Sequence, residues 1–266
     1  MVGETYIFIA SHMKARELIE AGEIGRPLQI RQRHGPWLRR NRRSDRKLPS
    51  NRNWRMSAEK SGGGDYPWIF DHAVHFFATA EYFMQDMKIT EVYALTGTCQ
   101  PAQGQRLHNT YSVPEVDIPI ITWKYEDTDC QGVWMRAEGL NGKYDYVHGF
   151  STTIIGECGM IEVLGEGGHN LIWKNRQQHL ILHRQDRDTH CFRFDQGGDD
   201  VWQSDICYYS QGHINQVYHL IDSILNDTKP RYNDEDGVRA VACTLATIQS
   251  AQEGRSVSVE EIEPDY

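Results

Sequence analysis

The chain is expected to fold as an α+β protein: a large open, mainly antiparallel β-sheet with helices packed on one face, in a single domain over residues 1–266. Three observations lead there. Seven short segments between Ile89 and Phe194 are rich in β-branched and aromatic residues and are punctuated by Gly, Asn and Asp. Apolar residues recur at helical spacing before and after that region, so helices and strands are segregated along the chain. No P-loop is present, and "GEGGHN" at 165–170 lies between strands, opens no helix and does not match GxGxxG.

The elements follow in order. "YIFIA" over 6–10 reads as a short strand, and Met13 to Ala21 as a helix with Leu18 and Ile19 inward and Gly22 as its stop. "PLQIRQRHG" then alternates as a strand does. Residues 36–60 are polar and basic and read as a long loop, a kind of segment that is usually functional when ordered. Pro67 and Trp68 stand where a helix starts, and apolar positions 69, 70, 73, 74, 77 and 80 carry it to about Met84. The strands follow as "ITEVYALTG", "IPIITWKYED", "QGVWMRAEG", "STTIIGECGMIEVLG", "HNLIWKN", "HLILHRQ" and "HCFRF". Near the end, Ile214, Val217, Tyr218, Ile221 and Leu225 make an apolar helical stripe closed by Asn226 and Pro230. A last helix is capped by Asn233 or Asp234 and turns Val238, Val241, Leu245 and Ile248 inward. Strands as apolar as "IPIITW" and "GVWMR" need cover, which points to a homo-oligomer formed through the free sheet face.

Composition narrows the function. A hydrophobic content of 39% fits a globular chain, and no run reaches the roughly 18 apolar residues of a membrane helix. The six scattered cysteines include no CxxC pair, so the expectation is a cytoplasmic protein with reduced thiols. A net charge of -9 argues against nucleic-acid binding. It hides an asymmetry: from Arg31 to Arg55 there are ten Lys or Arg and one acid, so the remainder carries about -18.

The chemistry concentrates in "SGGGDYPWIFDHAVHFF" at 61–77. Asp71 and His75 are four apart, hence on one helix face one turn apart. A carboxylate beside an imidazole orients it and raises its basicity, as a general acid or base near neutral pH requires. The glycines, Gly63 and Gly64 among them, would let a substrate or a second chain approach the backbone. Two other readings stand beside this one. Asp and His at a helix start also serve as ordinary capping and surface groups. Asp71, His72 and His75 could instead ligate a metal in a hydrolase or lyase, although adjacent helix positions splay about 100° apart.

The same residues resemble the Gfo/Idh/MocA oxidoreductases, the family of glucose–fructose oxidoreductase and inositol dehydrogenase. "KARELIEAGEIGRPLQIR" is similar to the helix and strand that follow their nucleotide domain. The glycine triplet with D-x-x-x-H, the "STTIIGECGMIEV" turn and the closing "DSILNDTKPRYNDEDGVRAVACTLATIQSAQEGRSVSV" match in order along the chain. The resemblance implies an enzyme acting on CH–OH groups of a sugar or polyol with NAD or NADP. It makes His75 the acid/base residue, Asp71 its orienter, and Trp54, Arg55, Gly63, Gly64 and His72 substrate contacts. It covers the substrate domain only, since the family's G-x-G-x-x-G and E-K-P segments fall upstream of Met1. The chain would then be a fragment, the partner of a separate nucleotide-binding subunit, or a stand-alone sugar-binding or assembly module without the redox step.

Overall fold

The computed structural model describes residues 1–37, 58–99, 116–127, 129–138, 150–164, 179–194 and 208–262. The chain opens with a 3-10 turn, Thr5–Phe8, where a strand was expected. The Glu4 side chain accepts the Tyr6 N–H and caps that turn, and Tyr6, Ile7 and Phe8 are all buried. A strand would have sent alternate side chains to the opposite face. Helix α1, Ala10–Glu20, starts earlier than Met13 but buries Leu18 and Ile19 as expected, and Gly22 ends it at a φ of 76°. Strand β1, Pro27–Trp37, takes the first two positions of the expected loop. The rest of that loop from 38 to 57, including "RRNRR", Trp54 and Arg55, lies outside the described residues.

The strands are β2 (Ile89–Leu95), β3 (Thr98–Cys99), β4 (Val116–Asp117), β5 (Ile120–Tyr125), β6 (Gln131–Glu138), β7 (Phe150–Gly156), β8 (Gly159–Leu164), β9 (His179–Arg184), β10 (Arg187–Arg193) and β11 (Val257–Ser258). Eight of them join β1 in a nine-stranded sheet in the order β10-β9-β8-β7-β1-β6-β5-β2-β11, and β3 pairs with β4 separately. Every described pairing in the large sheet is antiparallel except β1 with β6. The segment "STTIIGECGMIEVLG" resolves into the β7–β8 hairpin, while "HNLIWKN" lies outside the described residues.

Period-2 alternation sorts the side chains between the two faces. Ile30, Gln32 and His34 of β1 are buried, whereas Arg31 and Arg33 are exposed. Ile121, Trp123 and Trp134 also turn to the helix-covered side, so the tryptophans of "IPIITW" and "GVWMR" are core residues and leave the free face alone. That face keeps a smaller apolar row. Leu95, Ile120 and Met135 are 55%, 45% and 40% exposed and stand opposite one another across β2, β5 and β6.

Helix α2, Pro67–Phe83, lies across β1 with Pro67 in its first turn, where a missing N–H costs nothing. Ile69, Ala73, Phe76, Phe77, Ala80 and Phe83 are buried, and Phe76 stacks on Trp134 at 4.5 Å between ring centroids. Such a pair contributes about 0.5–1.5 kcal/mol beyond its buried area. The Gln32 amide donates from the sheet to the Phe76 carbonyl (3.0 Å) and to Thr79 Oγ1 (2.9 Å), which pins the helix register.

Two further helices close the chain, α3 (Tyr208–Leu225) and α4 (Asp234–Glu253). Asn233 caps α4 in a capping box, as its sequence signalled. The inward face of α4 matches the expected one only in part: Ile248 is buried, but Val241 is 39% exposed, and Ala240, Cys243, Ala246, Thr247 and Ser250 are buried as well. Small residues win because α4 packs closely against α2 and β2. Helix α3 rests on the opening turn through polar groups. Asn215 donates to the Phe8 carbonyl at 2.9 Å, and Thr5 Oγ1 donates to Gln216 at 3.1 Å. Its apolar stripe therefore points outward, with Val217, Tyr218, Ile224 and Leu225 at 56%, 68%, 69% and 78% exposure. Among the described residues, no helix is long and apolar enough to cross a membrane.

Candidate active site

The glycines before α2 serve the helix first. A Cβ on Gly63 would lie 2.6 Å from Phe70 Cβ and 2.8 Å from the Tyr66 carbonyl oxygen, and one on Gly62 would lie 3.0 Å from the Phe70 ring. Gly62 and Gly64 take φ values of 89° and 54°, which L side chains rarely adopt. The triplet is a tight entry that seats Phe70 and so fixes the first turn of α2. Gly63 is buried by that packing, and Gly64 is exposed, with nothing among the described residues within 4 Å of its Cβ position.

Asp71, His72 and His75 leave this helix half-buried, with 15%, 22% and 25% of their side chains exposed. Their described neighbours differ. Asp71 Oδ2 lies 3.8 Å from Nδ1 of its neighbour His72, whose ring meets His34 edge-on at 5.1 Å. His75 turns to the opening segment: its Nδ1 is 2.8 Å from Glu4 Oε2, and its ring stacks on Tyr6 at 5.0 Å and 18°. The carboxylate on Nδ1 of His75 is thus Glu4, where the four-residue spacing had nominated Asp71. Among the described residues, no three His, Cys, Asp or Glu side chains form a group that could hold a metal ion.

Glu4 was not legible as a site residue. It is 71 positions from His75 and carries no motif of its own. Only 6% of its side chain is exposed, and its Oε1 accepts the Tyr6 N–H at 2.9 Å. Nearby, burial and then the Glu4 charge push the Tyr232 phenol well above its usual 10. The polar floor under α2 was legible in part. Gln32 and His34 share the parity of Ile30 in "QIRQRH", which places them with the core, and each is only 1% exposed. His34 stacks on Phe76 at 5.2 Å, with Arg136 beside it as its register partner on β6.

A separate cleft of about 860 Å³ lies between α1 and the segment 229–236. Arg16, Lys229 and Arg231 face Glu17, Glu20 and Asp86 there, so its walls carry both signs, and Asp71 and His75 are not among them.

Known proteins share both the sequence pattern and the fold. Residues 16–259 match the model of the oxidoreductase family C-terminal alpha/beta domain (the Gfo/Idh/MocA family), and the chain belongs to that family. Several solved structures have the same architecture. An NAD binding oxidoreductase from Klebsiella pneumoniae is 19% identical, with a TM-score of 0.66 over 97% of this chain and 66% of its own. The aldose-aldose oxidoreductase from Caulobacter crescentus, in complex with glycerol, is 17% identical, with a TM-score of 0.65 over 97% of this chain and 63% of its own. Levoglucosan dehydrogenase, in complex with NADH and levoglucosan, is 18% identical, with a TM-score of 0.65 over 97% and 65%. The chain thus spans less than two thirds of the length of these relatives.

The described residues do not fit a dinucleotide by themselves. Among them, the glycine triplet at 62–64 that opens a helix is closed by Phe70, which leaves no room there for a phosphate against the backbone.

Proposed function

We propose that the chain is the substrate domain of an NAD(P)-dependent sugar or polyol dehydrogenase, with His75 as its acid/base residue. One observation carries the reading: the family match over 16–259 coincides with a helix that presents Asp71, His72 and His75 directly behind the glycine triplet. Hydride exchange with NAD or NADP belongs to a dinucleotide-binding domain, joined to this chain or supplied as a separate subunit. This chain's share is to hold the hydroxyl-bearing carbon and to move its proton. His75 takes that proton when the alcohol is oxidised and returns it when the carbonyl is reduced. Gly64 and His72, with Trp54 and Arg55 from the basic segment, would contact the substrate. The outward stripe of α3, next to the opening turn that holds His75, supports a reading in which a further domain covers that side.

A rival reading, a non-catalytic sugar-binding or assembly module, draws support from the lack of a dinucleotide fold among the described residues. Of two measurements, the second separates them. The chain alone, titrated calorimetrically with NADH, should show no binding. Combined with a dinucleotide-binding domain and a panel of sugars and polyols, it should turn over, and His75→Ala should lower kcat by about 10²–10⁴-fold with the fold intact. Turnover that survives His75→Ala would overturn the assignment. No turnover across the panel, with sugar binding retained, would favour the rival.

A further inference from the structure

We propose that Glu4 is the positioning residue of His75: its carboxylate holds the imidazole in the Nδ1–H tautomer and assigns proton exchange to Nε2. The catalytic meaning rests on the acid/base role proposed above, whereas the tautomer assignment stands on the geometry alone.

The carboxylate sits where few can. Its residue is 5% exposed, and a buried charge is tolerated only when its oxygens are hydrogen-bonded. Both are. Oε1 accepts the Tyr6 N–H at 2.9 Å, and Oε2 lies 2.8 Å from His75 Nδ1. A carboxylate only accepts when it is ionised, and in that state Nδ1 carries the proton and the neutral ring has its lone pair on Nε2.

The ring plane is held as well. Tyr6 stacks on it, and the Tyr6 carbonyl is in turn anchored by His12 Nδ1 at 2.7 Å, a histidine with no exposed surface. Residues 4–6 therefore grip the imidazole at one nitrogen and one face. Asp71, on the same helix as His75, sits against His72.

The charges that face His75 come from several elements. Glu4, and Asp71 one helical turn before the ring, favour its protonated form, while His72, and behind it His34, oppose it when charged. Tyr232, near Glu4, stays neutral across the working range. Glu4 is the direct partner of the ring, and removing its charge should lower the proton affinity of His75 about tenfold or more, one pH unit.

The test is long-range ¹H–¹⁵N correlation spectroscopy of the ¹⁵N-histidine-labelled full chain, titrated with pH as wild type, Glu4→Gln and Asp71→Asn. The wild-type spectrum needs no variant: neutral His75 should show the Nδ1–H pattern, and an Nε2–H pattern would overturn the proposal. Glu4→Gln should lower the His75 midpoint by about one pH unit, more than Asp71→Asn does. An unmoved midpoint, or a larger shift from Asp71→Asn, would equally overturn it. A purely packing role for Glu4 predicts no tautomer signature. If turnover survives His75→Ala while the tautomer is Nδ1–H, the acid/base role fails and the Glu4 assignment stands. If turnover is lost in His75→Ala while the tautomer is Nε2–H, the acid/base role stands and the Glu4 assignment fails.

Discussion

Alanine at Gly63 and at Gly64 should cost this protein different amounts, although the two glycines are adjacent and look alike in sequence. At Gly63 the new Cβ would lie 2.6 Å from Phe70 Cβ, 2.8 Å from the Tyr66 carbonyl oxygen and 3.1 Å from Pro67 Cα. Carbon atoms prefer about 3.5–4.0 Å, so the overlap approaches 1 Å. None of these atoms is the end of a flexible side chain, so the entry to α2 must shift bodily. Overpacking of this kind costs about 1–3 kcal/mol, and backbone contacts on two sides place Gly63→Ala in the upper half of that range. At Gly64 nothing among the described residues lies within 4 Å, and the φ of 54° is what opposes a side chain. That left-handed conformation costs roughly 1 kcal/mol. For a chain of this size each kcal/mol lowers Tm by about 2–4 °C, so Gly63→Ala should lose roughly 5–10 °C and Gly64→Ala roughly 2–4 °C. Differential scanning calorimetry of the two variants reads this directly. An equal or larger loss at Gly64 would refute the claim that the triplet exists to seat Phe70.

His219 makes stability pH-dependent. Its Nε2 accepts the Arg231 backbone N–H at 2.9 Å, and burial first, then the positive charge of Arg231, hold its proton affinity below the usual 6.5. The unfolded chain therefore binds the proton first, so the contribution is present above about pH 6.5 and is lost as the pH falls below it. Between about pH 7 and pH 5.5, the Tm of wild type should fall more than that of His219→Gln, and parallel curves would show that the ring is not the sensor. We also propose that copies of the chain pair through the open sheet face. Ile120→Glu with Met135→Glu, placed in the exposed row beside Leu95, should shift a dimer to monomer in sedimentation equilibrium. A wild type that is monomeric at the same concentration would refute that pairing.

Legibility varied with the range of the interaction concerned. Strand alternation in "PLQIRQRHG" and "IPIITWKYED" marked β1 and β5, and the Asn233 cap marked the start of α4, because strand period and capping are set within a few residues. The opening "YIFIA" misled because strand propensity was overridden by Glu4, whose side chain closes a turn on the Tyr6 N–H. Helix α3 misled in orientation. Its apolar stripe was legible, but which face packs depended on the polar pairs Asn215–Phe8 and Thr5–Gln216, which join positions about 200 residues apart.

The chain's own sequence determined that there would be a broad antiparallel sheet between terminal helices, and that the ionisable turn of α2 would follow a glycine entry. Local backbone preferences and hydrophobic period suffice for both. Tertiary structure decided the rest. It closed the glycines onto Phe70 and brought a buried glutamate from the first turn to Nδ1 of His75. Spacing along a helix can say which residues share a face. Only packing between distant segments decides which carboxylate leaves water and reaches the imidazole.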